Sequence, residues 1–325
     1  MIIVLGADMS GKTTLAKELS SHSGLPYYHF VADSKYEDYL NPLVSLEMHR
    51  AVCDRFILCE FPYSKILGRK FQFTMKEIHN VMLLALMQKP VFILCTHKPT
   101  APEYSKETYL PYEKWDMVLS TYRKLLDVHK IQYMEYDYAK TVVSIDVILK
   151  LEERYSSSMD WWIDMHRKGY GATGSPNPDF LLVAERLGPN NIQNLPFSHG
   201  PTGHMLSDML ARTNTPLGKF AVTNMVKSFR RDPRPPNEQD KEFLRTELEH
   251  LKPRVAVFMG SVSQNSGMKI AKDMGIKTAS MVHFGYYSHR GIYDVSMLSS
   301  QWQKIINIKE ADNEQTGHRT IISST

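Results

Sequence analysis

Gly6-Ala7-Asp8-Met9-Ser10-Gly11-Lys12-Thr13 stands between an apolar run at 2–5 and a segment whose apolar residues recur at helical spacing. The stretch fits G-x-x-x-x-G-K-[ST], and a strand before it with a helix after it turns such a pattern into a phosphate site. Glycines let successive backbone N–H groups turn inward, and the helix N-terminus adds partial positive charge. Lys12 is expected to bridge the β- and γ-phosphates of ATP, and the Thr13 hydroxyl to ligate Mg²⁺. The expected nucleotide-binding set is Gly6, Ala7, Asp8, Met9, Ser10, Gly11, Lys12, Thr13 and Thr14.

On either side of this loop, residues 1–155 alternate short apolar strands with amphipathic helices, the pattern of a parallel sheet covered on both faces. Strands are expected at 2–5, 27–30, 51–54, 91–95 and 131–136, with helices over 74–89 and 112–130. Residues 156–178 break the rhythm with Ser, Gly and Pro and read as a linker, with Trp161 and Trp162 docked on one neighbour. A second alternation follows, with strands at 180–184, 220–224, 254–259 and 278–282 and helices near 201–212, 238–251, 263–274 and 294–307. The expected fold class is α/β: two three-layer αβα domains with mainly parallel sheets, at 1–155 and 179–309, and a polar tail over 310–325.

The 325 residues, 42% hydrophobic and 23% charged, have the composition of a soluble globular protein with a core in each half. No run of 18 apolar residues occurs, which argues against a membrane span. The phosphate motif begins at residue 6, so a signal peptide is not expected. Cys53, Cys59 and Cys95 are odd in number and irregular in spacing, which suits neither a disulfide framework nor a metal site and points to a reducing cytoplasm. Residues 1–155 hold 19 Lys and Arg against 19 Asp and Glu; residues 156–325 hold 20 against 16, so the whole net charge of +4 lies there. Its densest stretch is Lys227-Ser228-Phe229-Arg230-Arg231-Asp232-Pro233-Arg234, where a polyanion or simply solvent would be met.

The loop G-A-D-M-S-G-K-T-T is similar to the G-x-D-G-S-G-K-[ST]-T loop of thymidylate kinases, with Asp8 in the aspartate place. Cys53-Asp54-Arg55-Phe56, continuing to Glu60, Tyr63, Gly68 and Arg69, resembles the D-R-[FY]-x(2)-S-E-x(2)-Y-G stretch of that family and of related deoxynucleoside kinases. The resemblance covers residues 1 to about 150 and implies a P-loop kinase fold. It also implies that Asp8 contacts the acceptor's sugar and that Asp54 and Arg55 lie beside the acceptor. Lys12, Asp54, Arg55 and Asp8 are the expected catalytic set. The family's transition-state arginine is missing: Met9 stands at its place in the loop, and the lid segment 96–106 contains none. Lys98, Lys106 or Arg69 is left to supply that charge, although a lysine is a point charge and not a fork.

Residues 179–300 carry, in order, a strand ending Ala184-Glu185-Arg-Leu-Gly188-Pro189-Asn190; Pro196-Phe197-Ser-His-Gly200-Pro-Thr-Gly203; Thr223-Asn224-Met-Val-Lys227; Pro236-Asn237-Glu238; the strand from Leu251 to Gly260; and His283-Phe-Gly-Tyr-Tyr-Ser-His-Arg290. In this order they resemble the motifs of the uracil-DNA glycosylase superfamily. By this resemblance Glu185 and Phe197 belong to a pocket for a flipped-out base. Phe197 stacks on the base, Asn224 reads a pyrimidine edge and His283 faces its carbonyl. Lys227, Arg230, Arg231 and Arg234 contact phosphates. Departures are Ser228, where iron–sulfur members carry a cysteine, Ala184 in place of a glycine, and the lack of a placed Asp to activate water. They favour a pocket that binds a base without cutting it.

Three functions stay open on these residues. The first is an ATP-dependent kinase for the hydroxymethyl group of 5-hydroxymethyluracil in DNA, an activity of bacteriophages that hypermodify thymine. The second is a kinase for free thymidylate-like monophosphates with an appended DNA-binding or repair domain. The third is a DNA-binding module whose phosphate loop is a non-catalytic nucleotide sensor. DNA is the expected partner of residues 179–309, and a pyrimidine nucleotide or modified base the expected acceptor.

Overall fold

The computed structural model describes residues 1–104, 108–140, 144–168, 171–186, 196–197, 200–227 and 235–317, with side chains up to residue 307. Two compact units emerge, one of Met1–Pro178 with Pro216–Ala221, the other of Asp179–Thr215 with Val222–Thr325.

The first unit begins with β1 (Ile2–Gly6), followed by α1 (Lys12–Ser23), β2 (Tyr27–His29), α2 (Tyr36–Val44), β3 (Val52–Asp54), α3 (Glu60–Leu67), α4 (Met75–Met87), β4 (Val91–Cys95), α5 (Trp115–Val128), β5 (Tyr133–Tyr136), α6 (Ile145–Ser157), α7 (Asp160–Arg167) and β6 (Thr173–Gly174). Its sheet runs β2-β3-β1-β4-β5, with every neighbouring pair parallel. The register Ile2↔Val91 through Gly6↔Cys95 on one side and Ile2↔Val52 through Val4↔Asp54 on the other makes β1 the central strand. All five of its residues are buried, as a strand covered on both faces must be. On one face, Leu15, Ala16 and Leu19 of α1 and Ile148 of α6 pack over Ile2, Val4, Val52, Val91 and Ile93.

Residues 156–178 are not the linker the sequence suggested: they carry α7 and β6 and belong to the first unit. Trp162 is fully buried, its indole N–H donates to the Ala172 carbonyl at 2.7 Å, and its ring stacks on His166. Ser and Gly composition marked turns here, but one buried tryptophan is enough to fold the segment down.

The second unit contains β7 (Phe180–Arg186), α8 (Gly200–Arg212), β8 (Phe220–Val226) from Val222 onward, α9 (Glu238–Leu251), β9 (Val255–Met259), α10 (Ser261–Asp273), β10 (Lys277–Met281), α11 (Phe284–Ser288) and α12 (Ser296–Gly317). Its strands run in the order β10-β9-β7-β8, parallel at β7–β9 and β9–β10. Trp302, on α12, is buried against Phe180 and donates its indole N–H to Thr215 Oγ1 at 2.8 Å. That helix continues past residue 309, where the sequence placed the start of a polar tail. The chain is α/β with two mainly parallel sheets, as expected. Among the described residues no helix is long and apolar enough to cross a membrane.

Candidate functional site

The phosphate-type loop leaves β1 at Gly6, and local sterics explain its composition. A Cβ on Gly6 would lie 2.4 Å from Ser10 Oγ and 2.9 Å from the Cys95 carbonyl. Gly11 holds φ 85° as the N-cap of α1, with the Tyr138 ring so close that a Cβ there would come within 2.8 Å. Met9 also adopts a left-handed φ of 60°. Conformations of this kind cost energy for a residue with a Cβ and tend to survive where function needs them.

Inside the loop, Lys12 is 5% exposed and its ammonium donates to the Ala7 carbonyl at 2.9 Å, with Asp8 Oδ1 at 3.8 Å. Burial lowers its pKa, the charge of Arg55 lowers it further, and Asp8 opposes both. Asp8 Oδ1 accepts from the Tyr63 hydroxyl at 2.8 Å, while the Asp8 carbonyl accepts the Trp115 indole N–H at 2.9 Å. Thr13 is half-buried in the first turn of α1 and Thr14 is exposed; Ser10 Oγ is buried and has no hydrogen-bond partner among the described residues.

Asp54 closes β3 beside the loop and is wholly buried. Its Oδ2 accepts from the Tyr27 hydroxyl at 2.9 Å and from His29 Nδ1 at 2.8 Å, and its Oδ1 has no partner among the described residues. Arg55 follows with φ 70°, its backbone N–H on the Val4 carbonyl at 3.0 Å and its Nε buried without a partner among the described residues. A cavity of ≈ 50 Å³ is lined by Asp8, Lys12, Arg55, Glu60, Tyr63 and Arg69 together with Phe30, Tyr39 and Phe56. Arg69 donates to Glu60 at 3.1 Å. Lys98 is held away by an ion pair with Asp116 and lies 4.9 Å from the Tyr112 ring centroid, and Lys106 lies outside the described residues. Of the two described side chains considered for the missing arginine, Arg69 is the one on this cavity.

Sequence reasoning therefore named Asp8, Lys12, Asp54 and Arg55, which the structure gathers around one loop. It missed Tyr27 and His29. A weak signal existed: two polar ring residues at i and i+2 share a strand face, and the neighbouring strand ends in an aspartate.

In the second unit, Glu185 sits near the end of β7, paired with Arg186 at 3.0 Å. Phe197 is buried with φ 57°, its ring edge-on to Phe284 at 5.4 Å. Asn224 is buried in β8. His283 caps α11: its Nδ1 accepts the Gly285 N–H at 3.0 Å, so the neutral ring carries its proton on Nε2. Burial lowers the His283 pKa, against the opposing charge of Glu185, and keeps the ring neutral near pH 7. Arg230, Arg231 and Arg234, like residues 188–190, lie outside the described residues.

Lys227 is a correction. Expected to touch phosphates, it is 2% exposed and its ammonium is bonded to Glu247 and, at 2.7 Å, to Thr223 Oγ1. Thr223 in turn donates to both Glu247 oxygens, at 3.0 and 2.8 Å. An ammonium so enclosed is withdrawn from the surface where a phosphate would be met, and removing it would leave a bare carboxylate in the core.

Residues 172–311, less than half the chain, match the family model of the uracil DNA glycosylase superfamily. No curated protein matches the chain. Among solved structures, the YorR protein from Bacillus subtilis in complex with phosphorylated GDP is similar at 15% identity and a TM-score of 0.36, covering 51% of this chain and 97% of that one. At that TM-score the likeness carries no weight in reading this chain; the superfamily match over the second unit does.

Proposed function

We propose that the first unit is an ATP- and Mg²⁺-dependent phosphotransferase and that the second holds a base of DNA. The acceptor in this reading is the hydroxymethyl group of 5-hydroxymethyluracil. The observation that carries it is a set of buried polar atoms left open around the loop of β1 and α1: Ser10 Oγ, Asp54 Oδ1 and Arg55 Nε. Such atoms cost about 1–3 kcal/mol each unless something meets them. They suit a triphosphate with its cation.

Residues 6–14 would hold the nucleotide, with the Thr13 hydroxyl on Mg²⁺. Bound Mg²⁺ supplies charge neutralisation on the phosphates. Lys12 exchanges the Ala7 carbonyl for phosphate oxygens, which restores a partner to a buried ammonium. Arg55 and Arg69 provide guanidinium charge from the cavity wall, the role left open by the lid. Asp54 rather than Asp8 takes the proton of the attacking hydroxyl, since Asp8 Oδ1 is already engaged by Tyr63 and Asp54 Oδ1 is not. In the second unit, Asn224, Phe197 and the Nε2–H of His283 provide a polar edge, a stacking face and a donor for a pyrimidine. The superfamily match over residues 172–311 supports DNA as the partner.

A second reading has its own support. Two arginines on a small cavity beside Asp8 also suit the phosphate of a free monophosphate. Incubation with γ-labelled ATP, offering DNA that contains 5-hydroxymethyluracil alongside free pyrimidine monophosphates, decides between them. Label in DNA supports the first reading, and label in diphosphates alone replaces it with the second. If neither is labelled while ATP still binds, only a nucleotide sensor remains.

A further inference from the structure

We propose that Tyr27 and His29 are positioning residues for Asp54, saturating one carboxylate oxygen so that the other alone is presented to the acceptor hydroxyl. The inference rests on the phosphotransfer reading above and adds two residues to it. Tyr27 and His29 lie on β2, the edge strand paired in parallel with β3 in the register Tyr27↔Val52 and His29↔Asp54. Being two residues apart on a strand, both rings project on one face, and they stack at 6.3 Å. Their donors converge on Asp54 Oδ2, at 2.9 Å from the Tyr27 hydroxyl and 2.8 Å from His29 Nδ1. Burial, and then the bond to Asp54, raises the Tyr27 pKa, so its hydroxyl stays a donor. The Phe30 N–H on the Asp54 carbonyl, at 3.1 Å, fixes the backbone in the same place.

The asymmetry is what points to a reaction. A buried carboxylate kept for stability alone gains most by sharing donors between its oxygens, since an orphaned one costs about 1–3 kcal/mol. Here one oxygen takes two donors and the other none among the described residues, at the strand ends where this fold class meets its ligands. Two donors on Oδ2 also restrain the side-chain torsions, so Oδ1 stays aimed without reorganising. In the step served, the acceptor oxygen bonds to the γ-phosphorus and the bond from that phosphorus to the β–γ bridging oxygen breaks. ADP leaves, and the hydroxyl proton passes to Asp54 Oδ1. Tyr27 and His29 keep their protons throughout.

The test compares His29→Ala, His29→Asn and Tyr27→Phe with the wild type in the full chain, using γ-labelled ATP and whichever acceptor the wild type labels. A fluorescent ATP analogue measures nucleotide affinity in parallel. His29→Ala is expected to lower kcat by about tenfold or more with KM for ATP changed less than about twofold. His29→Asn, whose amide N–H reaches the place of Nδ1–H, restores kcat to within about threefold of wild type; Tyr27→Phe lowers it by about threefold. Should His29→Ala melt early, the Asn and Phe variants carry the comparison. Unchanged kcat in His29→Ala, or an Asn variant no better than Ala, overturns the inference while the phosphotransfer reading stands. A wild type that labels no acceptor overturns both.

Discussion

Lys12 in the first unit and Lys227 in the second are both almost wholly withdrawn from water, at 5% and 2% exposure, and both have an acidic residue near. Their surroundings differ in what is left over. Lys227 is enclosed by Glu247 and Thr223, and Thr223 returns its own proton to Glu247, so the cluster closes on itself. Lys12 reaches a main-chain carbonyl, keeps Asp8 at 3.8 Å, and lies in a loop where Ser10 Oγ stays unmatched. A buried charge held against its own counter-ion belongs to the scaffold, and one whose neighbours stay open belongs to a ligand. Residue type and sequence position could not separate these two lysines.

The sharpest way to break this contrast is to open the closed cluster. Glu247→Ala strands an ammonium in the core and is expected to destabilise the second unit by about 3–5 kcal/mol in urea denaturation. The paired change Lys227→Met with Glu247→Leu should recover most of that. If Glu247→Ala is harmless, Lys227 is not scaffold and a phosphate role reopens.

Next in size is an effect of burial away from the loop. His79 is 5% exposed, and burial, aided by the charge of His129, lowers its pKa from 6.5 to about 4. A histidine so depressed contributes its stability in full above pH 6.5 and loses it as pH falls toward 4, because the unfolded chain takes up the proton first. The loss amounts to about 3 kcal/mol at the low end. Thermal melts between pH 7 and 4 should show this slope, and His79→Phe should flatten it.

Lys12→Ala should behave in the reverse sense to Glu247→Ala. Nucleotide affinity is expected to fall about a hundredfold, worth about 2.7 kcal/mol, with folding stability held within about 1 kcal/mol. Calorimetric titration with ATP and a urea curve on the same protein read both. A large loss of stability would assign Lys12 to the scaffold after all. The smallest effect lies at the N-cap of α9, where Asn237 Oδ1 accepts the Asp240 N–H at 2.8 Å and Asp240 answers on the Asn237 N–H at 3.0 Å. Asn237→Ala should cost about 1 kcal/mol by circular dichroism, without touching nucleotide affinity.

Much of this molecule was legible before any coordinates. The nine strands read from apolar runs fall within two residues of those found, because β-branched and aliphatic clusters between turn residues leave little choice. The phosphate-type loop was legible because its glycines answer local sterics. What stayed hidden was set by distance along the chain. Lys227 meets Glu247 twenty residues later, on the buried stripe of α9 that holds Leu244, Leu248 and Leu251. A carboxylate on an apolar stripe asks for a buried cation, and that was the signal to read. Tyr27 and His29 meet Asp54 only through the pairing of β2 with β3. The segment 156–178 looked like a linker because composition says nothing of where a tryptophan will bury itself.

The bond from Trp115 to the Asp8 carbonyl has a practical side. An indole whose N–H is tied to the phosphate-type loop, with the Lys98 ammonium 6.0 Å from its ring centroid, has its emission set by that loop's conformation. Any rearrangement on ligand entry must lengthen, bend or keep that one bond. The chain thus carries its own optical gauge, readable in a cuvette without a label, once Trp115→Phe has been used to subtract the other tryptophans.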